Sequence, residues 1–225
     1  MSDSLSRLSA AIGYHFRDPQ WLTQALSHRS VGSVNNERLE FLGDALLNAV
    51  IAGELFARHP DLDEGALSRL RAALVNQGAL VEIAAGLDLG SCLRLAPGEA
   101  RNGGQQRQSI QADALEAVIG AVFQDGGWDG VQRVIQHLFG TRLANPPALA
   151  ALKDSKTQLQ ELLQARGLPL PVYVLEKVGG RDHAQTFHVA CRLTSPAVSA
   201  SGAAGSRRGA EQEAASRVLE LLQGA

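Results

Sequence analysis

Two cysteines, one methionine and three lysines stand in a chain of 225 residues, and aromatic side chains make up only 4% of it. Each scarcity excludes something. Cys92 and Cys191 lie about a hundred residues apart in the unlike settings GSCLRL and HVACRLT, a spacing that suits neither a disulfide framework nor a zinc cluster. Both are expected as small buried hydrophobes, and any metal must then be held by oxygen. No uncharged apolar run approaches the roughly 20 residues of a membrane helix. The opening MSDSLSRLSAAIGYHF lacks the basic-then-apolar layout of a secretory leader. The expected location is the cytoplasm, with no membrane partner. A strong charge of one sign is missing too: the net charge is −2. Residues 1–150 carry 12 Lys/Arg against 16 Asp/Glu, net −4, and residues 151–225 carry 9 against 7, net +2. That contrast is too small to name a partner.

What is present is the profile of a folded globular chain, 45% hydrophobic and 20% charged, long enough for one large or two small domains. From Ser4 to about Leu143 apolar residues recur at three- and four-residue intervals, which predicts helices. DPQWLTQALSHRS, ERLEFLGDALLNAVIAGELFARHP, EGALSRLRAALVNQGALVEIAAGL, SIQADALEAVIGAVFQDGG and WDGVQRVIQHLFGTRLA each read as a helix or a broken pair. LAPGEARNGGQQRQ reads as a polar loop. The Asn-Pro-Pro of LANPPALAA stops a helix and predicts a linker over 148–153. Beyond it the texture changes to one helix (DSKTQLQELLQARG), three strand-like segments (PVYVLEKVGG, AQTFHVACRLT, AVSASG) and a last helix, SRRGAEQEAASRVLELLQ.

The stretch NNERLEFLGDALLNAV puts Glu37, Glu40 and Asp44 at i, i+3 and i+7 of a helix, within about 60° of one another. Like charges so spaced repel by a few tenths of a kcal/mol, and partial burial adds desolvation. A divalent cation would offset both. A second pair, Asp113 and Glu116, sits at i and i+3 in QADALEAV on a strongly apolar helix. If the two helices pack face to face, four or five carboxylates converge, a hard-oxygen set suited to Mg²⁺ or Mn²⁺ and to a phosphate substrate. Such an ion can activate water and stabilise a leaving oxygen. The plainer alternatives are a solvated acidic face for either pair and a favourable macrodipole position for Glu37. Spacing alone leaves these open.

NNERLEFLGDALL resembles the signature of bacterial ribonuclease III, the double-strand-specific endoribonuclease. The similarity runs on through HRS (28–30), EGALSRLRAALVN (64–76), SIQADALEAVIGA and the C-terminal part. The resemblance implies a multidomain fold: an all-α endonuclease domain over 1–147 with its core at about 4–126, then an α-β-β-β-α double-stranded-RNA-binding domain over 154–225. It implies catalytic roles for Asp44 and Glu116, metal ligation by Glu40, Asp113 and Glu116, and a supporting role toward RNA or the site for Glu37. Mg²⁺ is the implied cofactor, with Mn²⁺ able to substitute, and no small-molecule cofactor is expected. Partners would be double-stranded RNA and a second copy of the chain. Phe41 and Leu42 would face that copy, whereas periodicity favours ordinary core packing for both. Gln111 departs from the pattern, which has an aliphatic residue there. Products would carry 5′-phosphate and 3′-hydroxyl ends with short 3′ overhangs, from precursor ribosomal RNA and structured messenger or transfer-RNA precursors.

In the C-terminal part the resemblance assigns RNA contacts to Lys156, Thr157, Gln158 and Glu161 on the first helix and to His183 in the turn GGRDHAQ. It assigns others to Ser206, Arg207 and Arg208 at the start of the last helix. Such contacts read phosphates, 2′-hydroxyls and A-form shape. Glu211 and Glu213 weaken the cationic field just beyond. His28 is read as structural; Arg38, Arg69 and Arg71 are cations without an assigned role. Two rivals remain: a duplex-RNA binder whose nuclease fold no longer cuts, and an all-α hydrolase of small phosphates joined to an unrelated α+β module.

Overall fold

A computed structural model of the chain describes residues 3–152, 154–180 and 185–223. It divides into two compact units, Met1–Leu149 and Ala150–Ala225. The first is helical: α1 (Asp3–Ala11), α2 (Pro19–Ala25), α3 (Glu37–Arg58), α4 (Glu64–Val75), α5 (Gln77–Gly86), α6 (Leu89–Cys92), α7 (Pro97–Arg101) and α8 (Gln108–Ala144). The second comprises α9 (Leu149–Leu152), which begins at the boundary, then α10 (Ser155–Ala165), β1 (Val172–Gly179), β2 (Thr186–Thr194), β3 (Ala197–Ala204) and α11 (Arg207–Gln223). No described helix is long and apolar enough to cross a membrane.

Side-chain caps set several of these boundaries. Asp18 accepts from the Gln20 N–H at 2.9 Å with Pro19 opening α2, and Asp63 accepts from the Ala66 N–H at 2.7 Å. Asn76 accepts from the Ala79 N–H at 2.9 Å, which divides one apolar-periodic run into α4 and α5. The two helices expected around QDGGWDG form one element, α8, broken at Gly127, whose φ of 65° suits glycine and departs from the helix. The polar loop of 95–108 holds more structure than its composition suggests. Pro97 opens the five-residue α7, and a 3₁₀ turn follows at Gly104–Gln106, both too short to show periodicity. Gln111 belongs to this region: its Nε2 donates to the Gln105 carbonyl at 2.7 Å and pins that turn to α8. The polar departure from an aliphatic residue therefore has a partner.

α3 packs along α8, and α8 also touches α2, α5 and α6. Leu39, Leu46, Leu47, Val50, Ile51 and Leu55 from α3 meet a shared core with Ile110, Leu115, Val118, Ile119 and Val122 from α8, every one of them buried. Each such side chain contributes about 1.5–3 kcal/mol when fully buried. The two long helices can approach because Gly43 and Gly120 carry no side chain. A Cβ on Gly43 would overlap the Glu116 carbonyl oxygen, and one on Gly120 the Leu39 carbonyl oxygen.

In the second unit the three strands form an antiparallel sheet in the order β1-β2-β3, with a register shift between Leu175 and Lys177. α11 packs on β2, β3 and α10. Leu159 and Leu163 of α10, Cys191 and Leu193 of β2, and Ala214, Ala215, Val218 and Leu219 of α11 make its core. Cys191 is a buried small hydrophobe as expected; Cys92 is half-buried, and both thiols are free. β3 runs on past AVSASG to Ala204.

Candidate functional site

The packing of α3 on α8 brings the two acidic pairs together. One carboxylate oxygen from each of Glu40, Asp113 and Glu116 lies within 4.8 Å of the others. All three side chains are half-buried, whereas Glu37 and Asp44 are exposed. Asp44 is oriented by Asn48, one turn on, whose Nδ2 donates to Asp44 Oδ1 at 2.8 Å and to its carbonyl at 3.0 Å. Glu37 is held by Asn35: the Asn35 Nδ2 donates to Glu37 Oε2 at 3.2 Å, and Asn35 Oδ1 accepts from the Glu37 N–H.

Electrostatics record the crowding. Burial, followed by the charges of Asp44, Glu40 and Asp113, pushes the Glu116 carboxyl up to about 8. Burial also raises Glu40, aided by Asp113, Glu37 and Asp44 and opposed by Arg29. Asp113 is raised by burial and opposed by His28 and Arg29. Asp44 thus stands near enough to Glu116 to be its strongest charged neighbour.

The cluster borders a cavity of about 440 Å³ whose walls include His28, Arg29, Glu37, Glu40, Arg107 and Asp113. His28 caps the 3₁₀ turn Arg29–Val31, its Nδ1 accepting from the Ser30 N–H at 3.2 Å, so the structural role stands and the ring also faces the cavity. Arg38, Arg69 and Arg71 are absent from these walls; Arg71 lines an apolar groove with Phe56 instead. The cations that do line it, Arg29 and Arg107, escaped the sequence reading. Arg29 lies 3.9 Å from Glu37, and Arg107 pairs with Glu99 at 3.1 Å. Arg107 stands at the N-cap of α8, six residues before Asp113. Core packing for Phe41 is overturned: the ring is 80% exposed, because the buried stripe of α3 runs through Leu39, Gly43, Leu46 and Leu47 on another side. Leu42 is half-buried.

The donor set fits a hard divalent ion. Three carboxylates from two rigid helices supply anionic oxygens and no soft ligand. Oxygens on opposite sides of an ion with bonds near 2.1 Å stand about 4.2 Å apart, so a span of 4.8 Å closes with a small side-chain adjustment. A cation there also relieves the repulsion that raises Glu116.

In the second unit, Thr157 and Glu161 lie on the side of α10 turned away from its Leu159–Leu163 core, with Gln158 and Gln160 on either flank of that side. Glu161 and Gln160 are exposed, and Thr157 and Gln158 are half-buried. Gln160 was passed over in the sequence. Lys156 is tied inward to Glu211, its Nζ 2.6 Å from the carboxylate. Ser206, Arg207 and Arg208 are exposed at the start of α11, where Ser206 Oγ accepts from the Gly209 N–H at 3.1 Å. His183 lies outside the described residues. The acids expected to weaken the field both carry counter-charges: Glu211 pairs with Lys156 and Arg207, and Glu213 with Arg217.

A protein-family profile described as Ribonuclease-III-like matches residues 18–143, and one described as a double-stranded RNA binding motif matches residues 155–222. The chain belongs to the ribonuclease III family. It is 56% identical over 216 residues to the Ribonuclease 3 of Alkalilimnicola ehrlichii, covering 96% of this chain and 95% of that protein. It is 50% identical over 224 residues to that of Legionella pneumophila, covering 100% of both. Among solved structures, a ribonuclease III nuclease domain from Campylobacter jejuni superposes with a TM-score of 0.60 at 41% identity, over 61% of this chain and 96% of that one. That work concerns flexibility in a region involved in dimer formation of the Campylobacter domain. Nuclease family and duplex-binding motif together make the chain an endoribonuclease of double-stranded RNA. The ribonuclease III family is metal-dependent, and this chain carries an acidic cluster at Glu40, Asp113 and Glu116.

Proposed function

We propose that the chain hydrolyses duplex RNA at the α3–α8 acidic site in a Mg²⁺-dependent reaction, with Mn²⁺ able to substitute. The observation that carries this reading is the convergence of Glu40, Asp113 and Glu116 from two helices beside a cavity that also holds cations. These three residues would hold the ion. When bound, a hard divalent ion supplies Lewis acidity toward the phosphate and activation of water. The chain's own residues do the rest. Glu116 would be ionised with the ion bound, its proton having passed to solvent, while Asp44 presents an exposed carboxylate fixed by Asn48 and Glu37 stands at the cavity wall. Arg29 and Arg107 offset the acids, so a phosphodiester meets cations as well as anions. Products would carry 5′-phosphate and 3′-hydroxyl ends.

A second copy of the chain gives two such sites and hence short 3′ overhangs. Phe41, 80% exposed on the same helix as Glu40 and Asp44, supports a subunit interface there. Thr157, Gln158, Glu161, Ser206, Arg207 and Arg208 offer polar and cationic groups for duplex RNA, with exposed Gln160 added to them. A short tether between the units, with the first domain at 1–147 and the second at 154–225, keeps duplex near the nuclease. Precursor ribosomal RNA and structured messenger and transfer-RNA precursors in the cytoplasm are the proposed substrates. The test is cleavage of a perfect RNA duplex at millimolar Mg²⁺ by the wild type and by a folded Glu116→Gln variant. Equal rates would refute the site.

A further inference from the structure

A small ion-pair network joins α10 to the first turns of α11. The Lys156 ammonium lies 2.6 Å from Glu211 Oε2 and 4.5 Å from the centroid of the Tyr173 ring. The other oxygen, Glu211 Oε1, accepts from Arg207 Nε at 3.1 Å. The backbone N–H of Lys156 donates to Gln212 Oε1 at 3.1 Å, so Lys156 is fixed at both ends. Exposure falls in a clear order: the Arg207 side chain is 60% exposed, Lys156 29% and Glu211 13%.

An ammonium with a carboxylate at 2.6 Å and an aromatic face beside it already has two favourable partners, in surroundings that screen them less than open water does. A phosphate would have to displace the first to reach it. Lys156 holds the Glu211 carboxyl below the usual carboxylate range, against partial burial and with help from Arg207. Arg207 differs: among the described residues its hydrogen bond is the one from Nε to Glu211, and its side chain is 60% exposed. Lys156 sits on the edge of α10 that meets α11, one turn before exposed Gln160, while Thr157 and Glu161 lie on the side away from Leu159 and Leu163.

We propose that Lys156 is a positioning residue and not a phosphate contact: acting through Glu211, it fixes the aim of Arg207 at the start of α11. Glu211 in turn sets how many cations this surface offers to RNA. The inference rests on the reading of the second unit as a duplex-RNA binder.

The test uses the full chain with a perfect RNA duplex in EDTA, and follows affinity across a salt series. Each phosphate contact contributes about 0.9 to the slope of log affinity against log salt. Arg208→Met should make the slope shallower by about that amount. Lys156→Met should weaken binding about 3- to 10-fold, as expected for a misdirected charge-assisted contact, and leave the slope unchanged. A slope shallower by about 0.9 in Lys156→Met would overturn the proposal. Should Lys156→Met fail to fold, Glu211→Gln puts the same question. Release of Lys156 should steepen the slope toward one further contact, and an unchanged or shallower slope would overturn the proposal. Absence of duplex binding by the wild type would overturn the RNA reading itself, an outcome distinct from any change of slope.

Discussion

Gly43 of α3 and Gly120 of α8 lie at one helix crossing, each bare Cα facing a carbonyl oxygen of the opposite helix, that of Glu116 and that of Leu39. Glu40 and Asp44 flank Gly43, and Glu116 precedes Gly120 by one turn, so this contact sets the distance between the two acidic pairs. A methyl group at either position must push backbone against backbone. Gly120→Ala and Gly43→Ala should each cost about 2–3 kcal/mol in chemical denaturation. Cleavage by the folded fraction should fall further still, because the carboxylates are drawn apart. Full activity in a folded Gly120→Ala protein would show that the crossing does not set the site.

Glu116 leads to a prediction in the metal-free protein. Its carboxyl sits at about 8 against an ordinary 4.5. The folded state therefore binds this proton more tightly than the unfolded state, and stability falls as pH rises from about 4.5 to 8. Glu116→Gln removes that dependence. The site opens to solvent, so screening limits the gain to about 1–2 kcal/mol at pH 8, seen as a higher melting temperature in EDTA. Loading the ion must expel the proton. Calorimetry in buffers of different ionisation enthalpy should find about one proton released per ion at pH 7 and almost none at pH 9. No proton release at pH 7 would contradict the assignment.

Asp125, at the kink of α8, accepts from the Tyr14 hydroxyl at 2.7 Å and from the Arg17 and Asp18 N–H groups at 2.9 Å each. Partial burial works against its charge, yet these bonds hold its carboxyl below the ordinary range. Its contribution is present above the usual pH 3.8 and is lost as pH falls through the depressed value. Asp125→Asn should cost about 1–2 kcal/mol at pH 7, shrinking toward zero in strong acid, measured by thermal denaturation across pH.

Truncation after Leu149, the boundary between the two units, removes the duplex-binding motif. The remaining unit should still cut at low salt and lose activity as salt rises over a lower range than the full chain, because phosphate contacts are gone. Matching salt profiles would count against that motif as the source of affinity.

Much of this was legible in the sequence. Apolar spacing marks α3, α8 and α11. The acids of α3 and α8 were visible as pairs, but periodicity within each helix cannot say which helices meet. Gly43 and Gly120 hold that information, and it became readable only when the partner carbonyls were in view. Phe41 shows the reverse. Its apolar character reads as core, although the stripe that α8 covers leaves it outside. Arg29 and Arg107 reach the site from turns, where no period marks a side chain's direction. Lys156 looked like a surface cation because its partner, Glu211, lies 55 residues further along the chain.

The most direct measurement is an anomalous-scattering map from a crystal of the protein soaked in Mn²⁺. A peak within bonding distance of Glu40, Asp113 and Glu116 is the expected result, and it should vanish in Glu116→Gln crystals. Strong Mn²⁺ density elsewhere on the chain, with none among those three carboxylates, would contradict the account.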